Sequence, residues 1–465
     1  MQYLRRILDA PQLRPLLWLA HVCAIALLMW ATRNERSGDH TSYMDLAHGI
    51  LVGKYSLWWW MPEFVPDTFR TPGFPLYLAT IVKLFGNWKA MWAINAALYL
   101  LSLHWMVRII ARFDDRPLTG NLALVFLLPL VNVPYYITQV LPEIPALASV
   151  TAIVYLVMRP GRMSWMEAIA LGALYGFSFQ CKPIYLLLPP ALAIAHWWYA
   201  RGRSDVRGHA VALSVFAITL LPYTIWNKAH HGVWSTTPLE GGGGVMHFGI
   251  WAGAIPNYQE HRYWSNFTGD EIIDFVPTSS VPANIATYEA EWDSTMARIA
   301  PLRTHTDSLM ELAYHHSLGG TRTYSAPYTL EREQLLKQYA RDRATADFGY
   351  TLAYKSWSAL RLWVIGVQRT KFKEAGVAGK LAQLYPTITT FVVFMLTVLF
   401  STIAFVRKRL SLAPLLPVVL HLVYFGLIHI PFVIQVRYTT AVRPIMMVLL
   451  ALALAAVLFP RKQRA

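Results

Sequence analysis

Ten apolar stretches divide this chain, and nearly all the Arg and Lys clusters fall in alternate gaps between them. The first stretch, about 15–31, follows Arg5, Arg6 and Arg14. The second, about 90–110, runs into Arg108, Arg112 and Arg116. The third and fourth, about 119–137 and 144–158, bring the chain back to Arg159 and Arg162. The fifth and sixth, about 164–180 and 184–200, end at Arg201, Arg203 and Arg207. After a seventh at about 209–226, no further span is expected until about 384–406, which closes on Arg407-Lys408-Arg409. The ninth and tenth lie at about 411–430 and 438–459, before Arg461 and Lys462. Segments near 20 apolar residues read as membrane helices, and basic residues orient them toward the cytoplasm. The pattern predicts an all-α polytopic membrane protein with about ten transmembrane helices and both termini inside.

The +15 formal charge is therefore read as topology, not as affinity for nucleic acid. Mean hydropathy is only +0.36 although 55% of residues are hydrophobic, so a sizeable water-facing part is expected. It is found at 227–383, which holds 15 of the 26 acidic residues and the tract Gly241 to Gly244. That length is too great for a simple connection and predicts an external domain, mixed or irregular in structure. Within it, 331–343 reads as a charged helix and 350–367 as an amphipathic helix on the membrane surface. The expected domains are thus 1–226, 227–383 and 384–465. Cys23 and Cys181 both sit in apolar segments, which argues against a disulfide framework. The first span lacks a small-x-small cleavage pattern and reads as retained. Asn266-Phe-Thr matches a glycan acceptor pattern that carries no weight in this setting.

The first connection, 32–89, is the most informative. It opens with Asp39-His40 and continues with Tyr43, Leu46, Ala47, Ile50 and Leu51 at helical spacing. Trp58 to Trp60 suit a membrane–water interface belt. Arg70-Thr-Pro-Gly-Phe-Pro75 then leads into a second apolar helix, 76–85, too short to cross a bilayer. Two interfacial helices, with an acid and a base beside them, are expected here.

Asp39, Tyr43, Ala47, Gly53, Tyr55 and Arg70-Thr71-Pro72-Gly73-Phe74-Pro75 together resemble the GT-C superfamily of multi-pass glycosyltransferases. The resemblance is to bacterial members of the protein O-mannosyltransferase and lipid A aminoarabinose transferase type. It continues in Gly172-Ala-Leu-Tyr-Gly176 through Lys182-Pro183, in Leu221 to Asn227, and in Arg437-Tyr438 with Pro444. His40 stands where many members carry Glu, and Trp226 where Arg is common. The resemblance implies a GT-C fold. It also implies an inverting transfer of a sugar from a polyprenyl-phosphate donor to a lipid, glycan or protein acceptor. The active site would face the periplasm or cell exterior at the cytoplasmic membrane, in a protein acting as a monomer.

Such chemistry needs a base for the acceptor hydroxyl and cations for the departing phosphate. Asp39 is the candidate base, although its place before a helical run equally suits an N-cap. His40 reads as an assisting donor, a possible metal ligand or a plain surface histidine. Glu143, between the third and fourth stretches, reads as a second cavity carboxylate. Arg70, Lys182 and Arg437 are the phosphate candidates, against plain snorkelling to headgroups. The resemblance adds Tyr43, Tyr55 and Tyr438 as cavity residues. No His/Cys/Asp spacing specifies a metal, so a divalent ion is left open. Asp67, Ser280 and Gln435 are expected to be reachable on the site's side of the membrane and Ser204 on the other. A transporter or flippase would place acids within the late spans, yet none follows residue 384. An O-antigen-type ligase shares the logistics but lacks the Asp39 and Arg70 motifs.

Overall fold

The computed structural model describes residues 2–159, 161–200, 205–255, 275–304, 325–367, 369–432 and 434–460. Asn266, Ser204, Arg201, Arg203, Arg461 and Lys462 lie outside them. Among the described residues there is no strand. The helices are α1 (Gln2–Asp9), α2 (Leu13–Thr32), α3 (His40–Leu51), α4 (Gly73–Phe85), α5 (Ala90–Ala111) and α6 (Pro117–Leu127). Next come α7 (Glu143–Val157), α8 (Trp165–Cys181), α9 (Leu188–Ala200) and α10 (Val206–His231). After these follow α11 (Gly243–Trp251), α12 (Val281–Ile299), α13 (Ala326–Ala346) and α14 (Phe348–Arg361). The series ends with α15 (Arg369–Glu374), α16 (Val377–Val406), α17 (Leu412–Ile428) and α18 (Arg443–Leu458).

Among the described residues, five helical segments are long and apolar enough to cross a membrane: Leu13–Thr32, Ala90–Ala111, Val206–His231, Val377–Val406 and Arg437–Leu458. The chain is a polytopic membrane protein on that count. The other expected spans are shorter helices. The third is interrupted: α6 stops at Leu127, and Pro134–Ile137 forms a separate 3-10 turn. Pro129 and Pro134 remove two backbone donors there, which a continuous helix would require.

Burial sorts the helices into an inner and an outer set. Every residue of α7 from Glu143 to Val154 is buried, and α18 is buried from Arg443 to Ala455. Around them, α2, α10 and α16 leave Leu19, Leu27, Ile218, Ile225, Ile388 and Leu399 exposed. Helices apolar on all sides with their outer faces uncovered suit lipid, where such exposure costs nothing. Two glycines let α8 and α10 touch. A Cβ on Gly172 would lie 2.4 Å from the Ala212 carbonyl, and one on Gly176 2.1 Å from Thr219. Small residues four apart admit this close backbone approach.

In the first connection α3 and α4 form as expected, with Tyr43, Ala47, Phe74 and Leu78 packed between them. The tryptophans separate. Trp58 is 2% exposed and packs on Leu46, Leu57 and Val65, so it is a core residue and not part of an interface belt. Trp60 remains exposed.

The described part of 227–383 is helical, not mixed or irregular. Ile250, Trp251, Tyr288, Ala340, Tyr350 and Tyr354 join α11 to α14 in one cluster. The glycine tract is a docking point rather than a linker. The Gly243 and Gly244 amides donate to the Glu333 carboxylate at 2.6 and 3.1 Å, satisfying two free donors at the start of α11. The expected surface helix at 350–367 is α14, ending at Arg361, and it buries Tyr350, Tyr354, Lys355 and Arg361. Tyr350 and Lys355 donate to the Ile250 and Gly249 carbonyls of α11, which draws one face of the helix into protein.

Candidate active site

Lys182 is extended (φ −147°, ψ 109°) between Cys181 and Pro183. A residue before proline is pushed out of the helical region, so Pro183 both ends α8 and turns Lys182 away from its axis. The Lys182 ammonium then reaches Glu143 Oε1 at 3.0 Å. Glu143 opens α7, where the free amides of a helix N-terminus favour a negative charge.

Arg437 enters from the 3-10 turn Val436–Val442. Its Nε lies 4.0 Å from Glu143 Oε1, and its Nη2 contacts Asp39 Oδ2 at 2.9 Å. The other Asp39 oxygen accepts from Arg70 Nη2 at 2.7 Å. Asp39 occupies the N-cap position of α3 but makes no capping hydrogen bond. Its oxygens face the two guanidiniums and not the α3 amides. Burial works to raise the Asp39 carboxyl, but Arg70 and Arg437 outweigh it and hold it at about 2.

Five charged residues from five separate parts of the chain therefore form one cluster, with three cations against two carboxylates. The side chains of Asp39, Arg70 and Arg437 are 26%, 20% and 24% exposed, while Glu143 is 2% exposed. The cluster is open at Asp39 and closed behind Glu143. Glu143 Oε2, Arg70 Nε and Arg437 Nε are buried without a hydrogen-bond partner.

Aromatic rings fix the cations. The Arg70 guanidinium lies 4.7 Å from the Tyr43 ring and 4.1 Å from Phe69. Lys182 and Arg437 lie 5.7 and 5.9 Å from Tyr438. Such contacts hold a cation without neutralising it. Gly73 brings the Arg70 segment up to Lys182. A Cβ there would be 2.6 Å from the backbone of Gln180, two residues before Lys182.

Two expected site residues sit elsewhere. The His40 ring meets Trp88 edge-on at 5.1 Å and joins none of the ion pairs; burial, then Arg36, lowers its pKa. Its ring contact is with Trp88, just ahead of α5. Tyr55 does not present its hydroxyl to the charges but donates to the Arg70 carbonyl at 2.8 Å.

Three residues were not anticipated. Tyr223 donates to the same Arg70 carbonyl at 3.0 Å, although it lies inside the Leu221-to-Asn227 segment already singled out. Asp67 is fully buried, not reachable from outside. Its Oδ2 accepts the amides of Phe69 at 3.1 Å and Arg70 at 2.8 Å, an Asx turn that shapes the approach to Arg70. Burial pushes its carboxyl up to about 7. Behind it Glu240 pairs with Arg332 at 2.9 Å. Neither acid carried a sequence signal beyond its own identity. Among the described residues no three His, Cys, Asp or Glu gather closely enough to hold a metal ion.

No protein-family model matches this chain. No curated protein matches it either. Among solved structures it is similar to ArnT from Cupriavidus metallidurans in the apo state, at 13% identity and a TM-score of 0.37, over 94% of this chain and 77% of that one. It is likewise similar to the same protein bound to undecaprenyl phosphate, at 12% identity, a TM-score of 0.36 and the same coverage. Scores this low do not establish a shared fold.

Proposed function

We propose that this chain is a glycosyltransferase of the GT-C kind. In this reading it moves a sugar from a polyprenyl-phosphate donor, of which undecaprenyl phosphate is the lipid carrier, to an acceptor hydroxyl. The reaction takes place at the outer face of the cytoplasmic membrane, on a ten-crossing chain whose segment 227–383 lies outside. One observation carries the proposal: Arg70, Lys182 and Arg437 converge with Asp39 and Glu143 at the ends of apolar helices.

The charges suit the reaction. Three cations against two carboxylates leave a net single positive charge, and a glycosyl phosphodiester carries a single negative one. The acceptor oxygen attacks the anomeric carbon and the carbon–oxygen bond to phosphate breaks. Its electron pair leaves with the lipid phosphate, which gains a second negative charge for the cations to stabilise. The acceptor's proton passes to Asp39. A single displacement of this kind inverts the anomeric centre.

Asp39 gripped by two guanidiniums is a weak base. A phosphate that draws Arg70 and Arg437 toward itself loosens that grip, so the carboxylate gains basicity as the leaving group gains charge. Glu143 keeps Lys182 in place from behind. A carrier is the weaker reading, because the five clustered charges all lie at or near helix ends.

The proposal is tested by deleting the gene, identifying the envelope glycan that loses one sugar, and complementing with Asp39→Asn. The variant should insert normally and lower transfer by roughly 100-fold or more. Full complementation would remove Asp39 from catalysis, and an unchanged glycan profile in the deletion strain would refute the function.

A further inference from the structure

Lys355 is a buried lysine, 9% exposed, on the inner face of α14. No carboxylate among the described residues pairs with it. Its ammonium donates instead to two backbone carbonyls, Gly249 at 2.8 Å and Phe432 at 3.2 Å. Gly249 lies in the last turn of α11, where the unpaired carbonyls of a helix end favour a cation. Phe432 lies just ahead of the turn that carries Arg437. A buried ammonium without a counter-ion is costly, so a neutral side chain would be the easier choice for mere packing. Burial lowers the pKa of this lysine to about 7.

Two further bonds fasten the same stretch to the end of α14. Thr439 Oγ1 donates to the Leu362 carbonyl at 3.0 Å, and Arg443 Nη2 donates to the Trp363 carbonyl at 2.8 Å. Trp363 is anchored in turn, its ring stacked on Phe394 at 5.9 Å. The segment 432–443 is thus held at its start, middle and end by residues 355–363, and Arg437 lies between the first two fastenings.

We propose that Lys355 is a positioning residue for Arg437. It ties the α11–α14 helices to the segment that delivers this cation to Asp39 and Glu143. This assignment rests on the phosphate-binding reading above. Movement of α14, as on docking an acceptor beside it, is then transmitted to Arg437 through the Phe432 and Thr439 fastenings.

The test compares purified wild type, Lys355→Met, Lys355→Arg and Thr439→Val. Two quantities are read: affinity for undecaprenyl phosphate in detergent, and amide hydrogen exchange over 434–442 and over 67–73. Lys355→Met should weaken binding about tenfold, the loss expected of a charge-assisted bond. It should speed exchange over 434–442 while leaving 67–73 at the wild-type rate. Lys355→Arg should recover most of the affinity, and Thr439→Val should show a smaller change of the same pattern. Unchanged affinity in Lys355→Met, or equal acceleration of both segments, would overturn the assignment. Wild-type protein that fails to bind undecaprenyl phosphate would refute the proposed function instead. The exchange comparison would then decide whether the fastening exists.

Discussion

Arg70 and Arg437 grip the two oxygens of one carboxylate, but they are held there in opposite ways. Arg70 is fixed mostly by its own neighbourhood. Asp67 turns the backbone just before it, and Tyr43 and Phe69 hold its guanidinium. Tyr55 and Tyr223 converge on its carbonyl. Arg437 instead sits on a 3-10 turn fastened from a distance by Lys355, Leu362 and Trp363. One cation is set mainly by its own segment, with Tyr223 the distant support. The other depends on the packing of helices some eighty residues away in sequence.

The largest effect that would sharpen this contrast is at the third cation. Lys182→Met leaves Glu143 buried with only the 4.0 Å contact to Arg437. Stripping a buried carboxylate of its partner costs on the order of 3–5 kcal/mol, so thermal unfolding in detergent should shift sharply downward. Arg70→Met should cost clearly less, because Asp39 is more open and keeps Arg437. Equal losses would mean that the cluster does not deepen toward Glu143.

A second effect depends on pH and belongs to the Arg70 side. Asp67 has a folded pKa near 7, above its unfolded value of 3.8. The folded state therefore binds the extra proton between those values. The stability from this group is complete below about 4 and is lost as pH rises through about 7. By pH 8 the loss is on the order of 4 kcal/mol. Asp67→Asn keeps an oxygen for the Phe69 and Arg70 amides and removes the titration. Its unfolding midpoint should gain on the wild type between pH 5 and 8. Parallel pH profiles would contradict this account of Asp67.

The smallest effect tests redundancy at the Arg70 carbonyl. Tyr223→Phe removes one of two donors and should weaken undecaprenyl phosphate binding only a few-fold, about 1 kcal/mol. Adding Tyr55→Phe leaves the carbonyl with neither donor and should cost more than the two single changes summed. Strict additivity would show that the tyrosines act independently of Arg70.

The same contrast explains what could be read beforehand. The Arg70 segment was legible because its determinants are close in sequence: an acid before a helical run, then Arg-Thr-Pro-Gly-Phe-Pro. Lys182 was legible because Pro183 marks the end of a helix by local sterics. Among the described residues, five of the ten expected spans followed from apolar length alone, while others are shorter or interrupted helices. Asp67 was misjudged because burial depends on what covers a loop, here residues 231–240, and no local pattern encodes that. His231 reaches the Asp67 carbonyl at 3.0 Å, and the amides of Leu239 and Glu240 reach that of Thr68. Lys355 was invisible for the same reason, since both its partners are backbone carbonyls whose identity leaves no mark in sequence. The helical state of the described part of 227–383 was obscured by glycine and proline clusters that turned out to start helices.

In the proposed function, three cations from distant parts of the chain form one lipid-phosphate site. The most direct measurement compares binding of undecaprenyl phosphate and undecaprenol to purified wild type and Arg437→Met in the same detergent. The account predicts that wild type prefers the phosphate by roughly 100-fold or more, and that Arg437→Met loses at least about tenfold of that preference while binding undecaprenol unchanged. Equal affinity of wild type for the two lipids, or an undiminished preference in Arg437→Met, would contradict it.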